Sequence, residues 1–152
     1  MLRDEINSGL IAAMKAGDKR RISTLRMVNA AIKNADIEAR GQGKEAPADD
    51  ALLGLLQKLI KQRQEAAELY DKGGRNELAL GEREEIDIIN AYLPTQMSDV
   101  EAGSAIAAIL HDINAVGLKD MGRTMTALKE KFAGQMDFGR ASAMVKKLLG
   151  GG

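Results

Sequence analysis

The sequence predicts an all-α protein, with a four-helix unit at the N-terminus followed by a small three-helix unit. Apolar residues recur with the period of helices along the whole chain, and no segment shows the alternation or the β-branched runs of a strand. Glycines, Pro47 and Pro94 interrupt the helical pattern and mark where helices end. We expect an N-terminal helical domain over residues 1–94 and a C-terminal three-helix domain over residues 95–152.

Two helices are expected before the first proline. The first runs from about Arg3 to Ala16 and stops at Gly17. Asp18 then offers an N-cap for a second helix that continues to about Ala39, because a carboxylate before a helix accepts hydrogen bonds from the first free N–H groups. The glycines and the proline of the segment GQGKEAP predict a loop after this second helix.

Two more helices are expected before the second proline. Asp49 or Asp50 would cap a third helix that continues to about Asp71. A fourth helical region reaches Leu93 and contains Gly81, where the helix can break.

The C-terminal unit shows a start signal for each of its three helices. Ser98 and Glu101 have the spacing of a capping box, which predicts a fifth helix that ends at Gly117. Asp120 would cap a sixth helix and Asp137 a seventh.

The composition excludes several classes of function. The 152 residues include no cysteine and a single histidine, so disulfides, thiolate metal sites and His-based metal clusters are excluded, and we expect neither a metal nor a cofactor. The segment GLKDMGRT copies the glycine spacing of a phosphate-binding loop, but it follows a predicted helix instead of a strand. No apolar run is long enough to span a membrane, so we expect a cytoplasmic protein that has no membrane partner. No spacing of side chains indicates a catalytic residue.

Basic residues form a row along the second predicted helix. The row repeats every seven residues and consists of Lys19, Arg26, Lys33 and Arg40. A heptad drifts by only about 20° around a helix, so these side chains stay on one side. Such a row is either a solvated surface, with ion pairs to a neighbouring helix, or a surface that follows phosphates. The candidate RNA-binding residues are Lys15, Lys19, Arg20, Arg21, Arg26, Lys33, Arg40, Lys119, Arg123, Arg140, Lys146 and Lys147.

Charged residues are also concentrated in the third and fourth predicted helices. Arg63 and Arg75 lie among several glutamates, and the planar guanidinium of arginine suits ion pairs that hold one helix against the next. We interpret this segment as a structural junction. Its residues are Arg63, Arg75, Glu82, Glu85, Tyr92 and Pro94.

Three stretches carry a resemblance to a known family: GDKRRISTLRMVNAAIKNADIE, LIKQRQEAAELYDKGGRNELALGEREEIDIINAYLP and MGRTMTALKEKF. Together they are similar to the YqeY family, the free-standing relatives of the C-terminal tail domain of GatB, the B subunit of the tRNA-dependent amidotransferase. The resemblance covers essentially the whole chain, and the series KQR, GR, E and YLP with fixed gaps is specific to that family. It implies an all-helical protein in two parts, the second of which resembles the GatB tail.

In the amidotransferase, the related tail helps to hold tRNA while a separate domain performs the chemistry. The resemblance therefore implies a non-catalytic module whose partner is tRNA, an aminoacyl-tRNA synthetase or an amidotransferase subunit. Two alternatives stay open. One is a protein-interaction adaptor that does not touch RNA. The other is the carbon–nitrogen ligase activity with glutamine as amido donor that is often assigned to the family, for which this sequence offers no ATP-binding motif.

Overall fold

The computed structural model describes residues 1–150 and contains two compact units, Met1–Leu93 and a second that begins at Pro94. We call them unit 1 and unit 2. Every regular element within residues 1–150 is helical, which confirms the predicted all-α fold class.

Unit 1 is built from four helices: α1 (Leu2–Ala16), α2 (Lys19–Gly41), α3 (Asp49–Lys72) and α4 (Asn76–Asn90). Helix α1 packs mainly on α2, and α3 packs mainly on α4. The core of unit 1 takes buried side chains from all four helices: Leu2, Ile6, Leu25, Val28, Ile32, Leu52, Leu56, Leu59, Ile60 and Ile89. Their helical spacing on each element is the periodicity from which the helices were predicted.

Unit 2 contains three α-helices: α5 (Asp99–Asp112), α6 (Met121–Lys131) and α7 (Phe138–Gly150). A short 3-10 turn over Leu118–Asp120 leads directly into α6. The unit has a core of its own, formed by Ala102, Ile106, Ile109, Leu128, Met136, Ala141 and Val145.

Three predicted helix starts are confirmed by their hydrogen bonds. The Ser98 hydroxyl accepts from the Glu101 backbone N–H at 3.1 Å, and the Glu101 carboxylate accepts from the Ser98 backbone N–H at 3.0 Å, which completes the capping box. The Asp18 carboxylate accepts from the backbone N–H of Arg21 at 3.2 Å. The Asp137 carboxylate accepts from the backbone N–H of Arg140 at 3.1 Å.

Other details of the helix boundaries were predicted wrongly. Helix α3 has Ala48 as its N-cap, and Asp49 instead accepts from the backbone N–H of Leu2 at 3.2 Å, a long-range partner that the local pattern does not reveal. Helix α4 continues through Gly81 without a break. Helix α5 ends at Asp112, before the predicted Gly117.

Candidate nucleic-acid interface

The basic row of α2 lies at the surface of unit 1. Its four side chains belong to exposed residues: Lys19, Arg26, Lys33 and Arg40. At 1.5 Å per residue, the row extends over about 30 Å of helix. The buried residues of α2 include Leu25, Val28 and Ile32, which point into the core of unit 1. The helix therefore separates an apolar face from a cationic one, as the heptad spacing predicts.

The four cations of the row differ in their surroundings. Arg40 interacts electrostatically with Asp36, one turn earlier on α2. Within residues 1–150, no carboxylate lies within ion-pair distance of Lys19, Arg26 or Lys33. These three side chains carry positive charge that this part of the chain does not neutralise by direct contact. They are the part of the row best placed to meet an external anion.

The neighbouring basic residues are placed differently. The Arg20 Nε lies 3.4 Å from a carboxylate oxygen of Glu84, and one of its terminal nitrogens lies 3.9 Å from Glu85. Its guanidinium also lies over Gly81, where an added Cβ would approach it to 3.3 Å. The positive charge of Arg20 is thus paired with carboxylates of α4. Arg21 is half-buried, and Lys15, in the last turn of α1, is exposed.

The five candidate cations of unit 2 do not form one uniform patch. Arg123 Nε donates to Asp120 at 3.0 Å, and Arg140 donates to Asp99 at 2.6 Å. The other three candidates, Lys119, Lys146 and Lys147, are exposed. Two of the five guanidinium and ammonium groups therefore already have a carboxylate partner within unit 2.

Asp120 organises the loop that precedes α6. Its carboxylate accepts from the backbone N–H groups of Val116 at 2.7 Å and Gly117 at 3.2 Å, as well as from Arg123. These hydrogen bonds to the charged form lower the pKa of Asp120 to about 2. Asp120 occupies the predicted N-cap position of α6, but its carboxylate binds N–H groups of the preceding loop and none at the start of α6.

Charged residues of the predicted junction lie between α2, α3 and α4. Arg63 Nε donates to Glu85 at 3.1 Å, and a second guanidinium nitrogen donates to the Leu59 carbonyl at 2.9 Å. Burial raises the pKa of Glu82, and repulsion from Glu85 raises it further. Arg63 and Glu85 thus connect α3 to α4, which is the geometry expected of a brace.

The remaining junction residues have other contacts. Arg75 forms its ion pair with Glu77 at 3.5 Å, two positions along the same segment, so it does not connect one helix to another. Tyr92 lies against Gly9 of α1. Pro94 begins unit 2 and is exposed.

Sequence reasoning missed one ion pair next to the basic row. Arg3 of α1 donates to both carboxylate oxygens of Asp36 on α2, each at 2.7 Å, and also to the Pro47 carbonyl at 3.0 Å. The hydrogen bonds from Arg3 lower the pKa of Asp36. No sequence spacing indicates this pair, because its partners are 33 positions apart.

Among residues 1–150, no group of three or more His, Asp or Glu side chains is arranged to hold a metal ion. None of the helices in that range combines the length and the apolar composition that crossing a bilayer requires.

Residues 3–149 match the family model described as Yqey-like protein. Three fungal relatives share the name altered inheritance of mitochondria protein 41, mitochondrial. The one from Eremothecium gossypii is 32% identical over 114 residues, which cover 72% of this chain and 60% of the relative. The one from Vanderwaltozyma polyspora is 31% identical over 123 residues, or 76% and 64% of the two chains. The one from Lachancea thermotolerans is 38% identical over 88 residues, or 58% and 46%.

This chain therefore spans about half to two thirds of the length of those relatives, between 46% and 64% in the three alignments. The names of the relatives include the word mitochondrial. The cytoplasmic location expected for this chain stays a prediction.

Proposed function

This chain belongs to the Yqey-like protein family, and from that premise we propose that it is a non-catalytic helical module that binds tRNA. The surface that would bind tRNA is the basic row of α2, and the binding would serve aminoacyl-tRNA metabolism or tRNA-dependent amidotransfer. The observation that carries the proposal is the exposure of Lys19, Arg26 and Lys33 on one side of α2, without a carboxylate in contact among residues 1–150.

The physical basis is the electrostatics of a polyanion. A cationic row along a straight helix contacts successive backbone phosphates and releases their counterions, so affinity falls steeply with salt and depends little on sequence. Overall charge contributes nothing, because 22 basic residues balance 22 acidic ones. The local arrangement of α2 must therefore supply the attraction.

The test is equilibrium binding of bulk tRNA to the intact chain at low and at moderate salt. Replacing Lys19, Arg26 and Lys33 together by alanine should weaken tRNA binding by about tenfold or more. It should also reduce the magnitude of the slope of log K against the logarithm of the salt concentration by about two to three. Circular dichroism should show unchanged helicity, because the three side chains are exposed.

The matched control removes the same amount of charge from positions outside the basic row. Lys58 and Lys61 on α3 and Lys129 on α6 are also exposed, and their triple alanine variant should bind tRNA within about threefold of the unmodified chain. Equal weakening by both triple variants would mean that net charge, and not the α2 row, governs binding. If tRNA is not retained at either salt concentration, the proposal is wrong, and the alternative of a protein-interaction adaptor gains support.

A further inference from the structure

A shallow groove lies between α1 and α2, beside the basic row. It has a volume of about 290 Å³ and is lined by Arg3, Asn7, Asn29, Ile32, Lys33 and Asp36. Five of these six side chains are polar or charged, whereas Ile32 belongs to the core of unit 1. A groove of this size is near the lower end of ligand-binding pockets and suits a ligand no larger than a nucleotide.

Two asparagine amides define the polar chemistry of the groove. Asn29 Nδ2 donates to Asn7 Oδ1 at 3.1 Å. This bond leaves both N–H groups of the Asn7 amide and the amide oxygen of Asn29 without another hydrogen bond within residues 1–150. The two adjacent amides therefore offer a free acceptor on Asn29 and free N–H donors on Asn7. Adenine presents the complementary pair on its major-groove edge, the N6 donor and the N7 acceptor.

The remaining walls also suit an unpaired base. The guanidinium of Arg3 is fixed by its two hydrogen bonds to Asp36, yet its side chain stays 31% exposed, and a planar guanidinium stacks on a base. Lys33 lines the groove and has no carboxylate in contact among residues 1–150, so it is available for a phosphate.

The groove is also in register with the basic row. Asn29 lies three residues after Arg26 and four before Lys33, so all three occupy one face of α2. A single strand whose phosphates contact Arg26 and Lys33 would therefore carry a base past the two amides.

We propose that this groove binds an unpaired adenine, whose N6 amino group donates to one asparagine oxygen and whose N7 accepts from the other asparagine N–H. This inference rests on the proposed RNA binding and makes it more specific, since the phosphates hold the strand while the amides select one base. Duplex regions are excluded from the site, because the N6 and N7 atoms of a paired adenine lie in the deep, narrow major groove of an RNA helix, which side chains cannot read.

The test compares two fluorescently labelled RNA decamers in an anisotropy titration with the intact chain. One is oligoadenylate, and the other contains 7-deaza-adenosine, which lacks N7 and keeps the size and charge of adenosine. Oligoadenylate should bind about fivefold more tightly, the effect of one good hydrogen bond. The ratio of the two affinities should fall to about one in the variant Asn7→Ala, which removes the N–H group that donates to N7. The variant Asn29→Ala removes the acceptor for N6 and should weaken the binding of both decamers.

The matched control is Asn34→Ala, because Asn34 is an exposed asparagine of the same helix that does not line the groove. It should keep the fivefold ratio. Asn7 is exposed, so Asn7→Ala reports on the site even if Asn29→Ala perturbs the fold. Competition with AMP identifies the source of the base: displacement at the concentration at which the decamer binds assigns the groove to a free nucleotide, and much weaker displacement assigns it to RNA.

Equal affinity of the unmodified chain for the two decamers, with tRNA binding intact, would overturn the adenine site and leave the proposed function standing. Absence of binding to both tRNA and the decamers would overturn both.

Discussion

Tyr92 lies against the backbone of α1 at Gly9. A Cβ added at Gly9 would overlap the Tyr92 hydroxyl and lie 3.1 Å from the ring carbon Cζ. Gly9 thus permits the end of α4 to approach α1 closely, and this contact explains why a residue of low helix propensity is placed inside a helix. The tyrosine of the predicted junction is therefore a packing residue within unit 1.

We expect Gly9→Ala to destabilise the protein by about 1–3 kcal/mol, because the overpacking outweighs the gain in helix propensity. The free energy of unfolding in urea measures the effect. In a Tyr92→Phe background the same substitution should cost less, since the overlapping hydroxyl is gone. A Gly9→Ala variant as stable as the unmodified chain would contradict this account of the contact.

Two buried threonines differ in their hydrogen bonds. Thr24 is 1% exposed, and its hydroxyl has no hydrogen-bond partner among residues 1–150. Thr124 is 0% exposed, and its hydroxyl donates to the Asp120 carbonyl at 2.7 Å.

The same substitution should therefore have opposite effects at the two positions. Thr24→Val should stabilise the protein by about 1 kcal/mol, because it removes a buried polar group that lacks a partner. Thr124→Val should destabilise it by about 1 kcal/mol, because a hydrogen bond is lost. Urea denaturation of both variants provides the comparison, and destabilisation of similar size in both would show that the Thr24 hydroxyl is satisfied in solution.

Asp120 should make stability depend on pH in the acid range. Its pKa is lowered from 3.8 to about 2 in the folded protein, so the unfolded state binds the proton first. The stability that Asp120 contributes is fully present above about pH 4 and is lost as the pH falls towards 2. The thermal midpoint of Asp120→Asn should be lower than that of the unmodified chain at pH 7. The difference between the two should shrink between pH 4 and pH 2, and a constant difference over that range would contradict the assignment.

At the scale of elements, a partly buried ion pair connects α3 to α4. The Arg63 and Glu85 side chains are only 16% and 23% exposed, whereas Arg75 and Glu77 are 62% and 72% exposed. Solvent therefore weakens the second pair far more than the first. The two pairs look equivalent in the sequence, and their burial distinguishes them.

Glu85→Ala should destabilise the protein by about 1–3 kcal/mol, because it leaves the half-buried Arg63 without its carboxylate. The matched control Arg75→Ala should change the free energy of unfolding by less than about 0.5 kcal/mol. Urea denaturation of the two variants tests the ranking, and an Arg75→Ala variant that is the less stable of the two would contradict it.

The helix starts show which elements the sequence can predict. The caps at Asp18, Ser98 and Asp137 were predicted correctly because each carboxylate or hydroxyl accepts from an N–H group three residues away. Asp49 and Asp120 have the same local appearance. The Asp49 carboxylate instead accepts from the backbone N–H of Leu2, and the Asp120 carboxylate accepts from the backbone N–H of Val116 in the loop before the 3-10 turn. Only the folded chain brings these groups together.

At the scale of the whole molecule, each unit has a separate apolar core, and unit 1 takes buried residues from all four of its helices. We expect a fragment of residues 1–93 to show a helical circular dichroism spectrum and a cooperative thermal transition, because its core is complete without unit 2. The same scan on the intact chain is the control. A fragment that melts gradually, without cooperativity, would mean that the predicted domain boundary divides one folding unit.

The sequence by itself determined the fold class, the number of α-helices and the alignment of the α2 cations on one side, because these follow from periodicity and from contacts over a few residues. Only the tertiary structure decided which charges are neutralised: Arg20, Arg123 and Arg140 have carboxylate partners, while Lys19, Arg26 and Lys33 have none in contact within residues 1–150. It also placed Asn7 beside Asn29 and Arg3 beside Asp36. These pairs depend on how α1 packs on α2, and distance between helices is not encoded in the spacing of residues along either one.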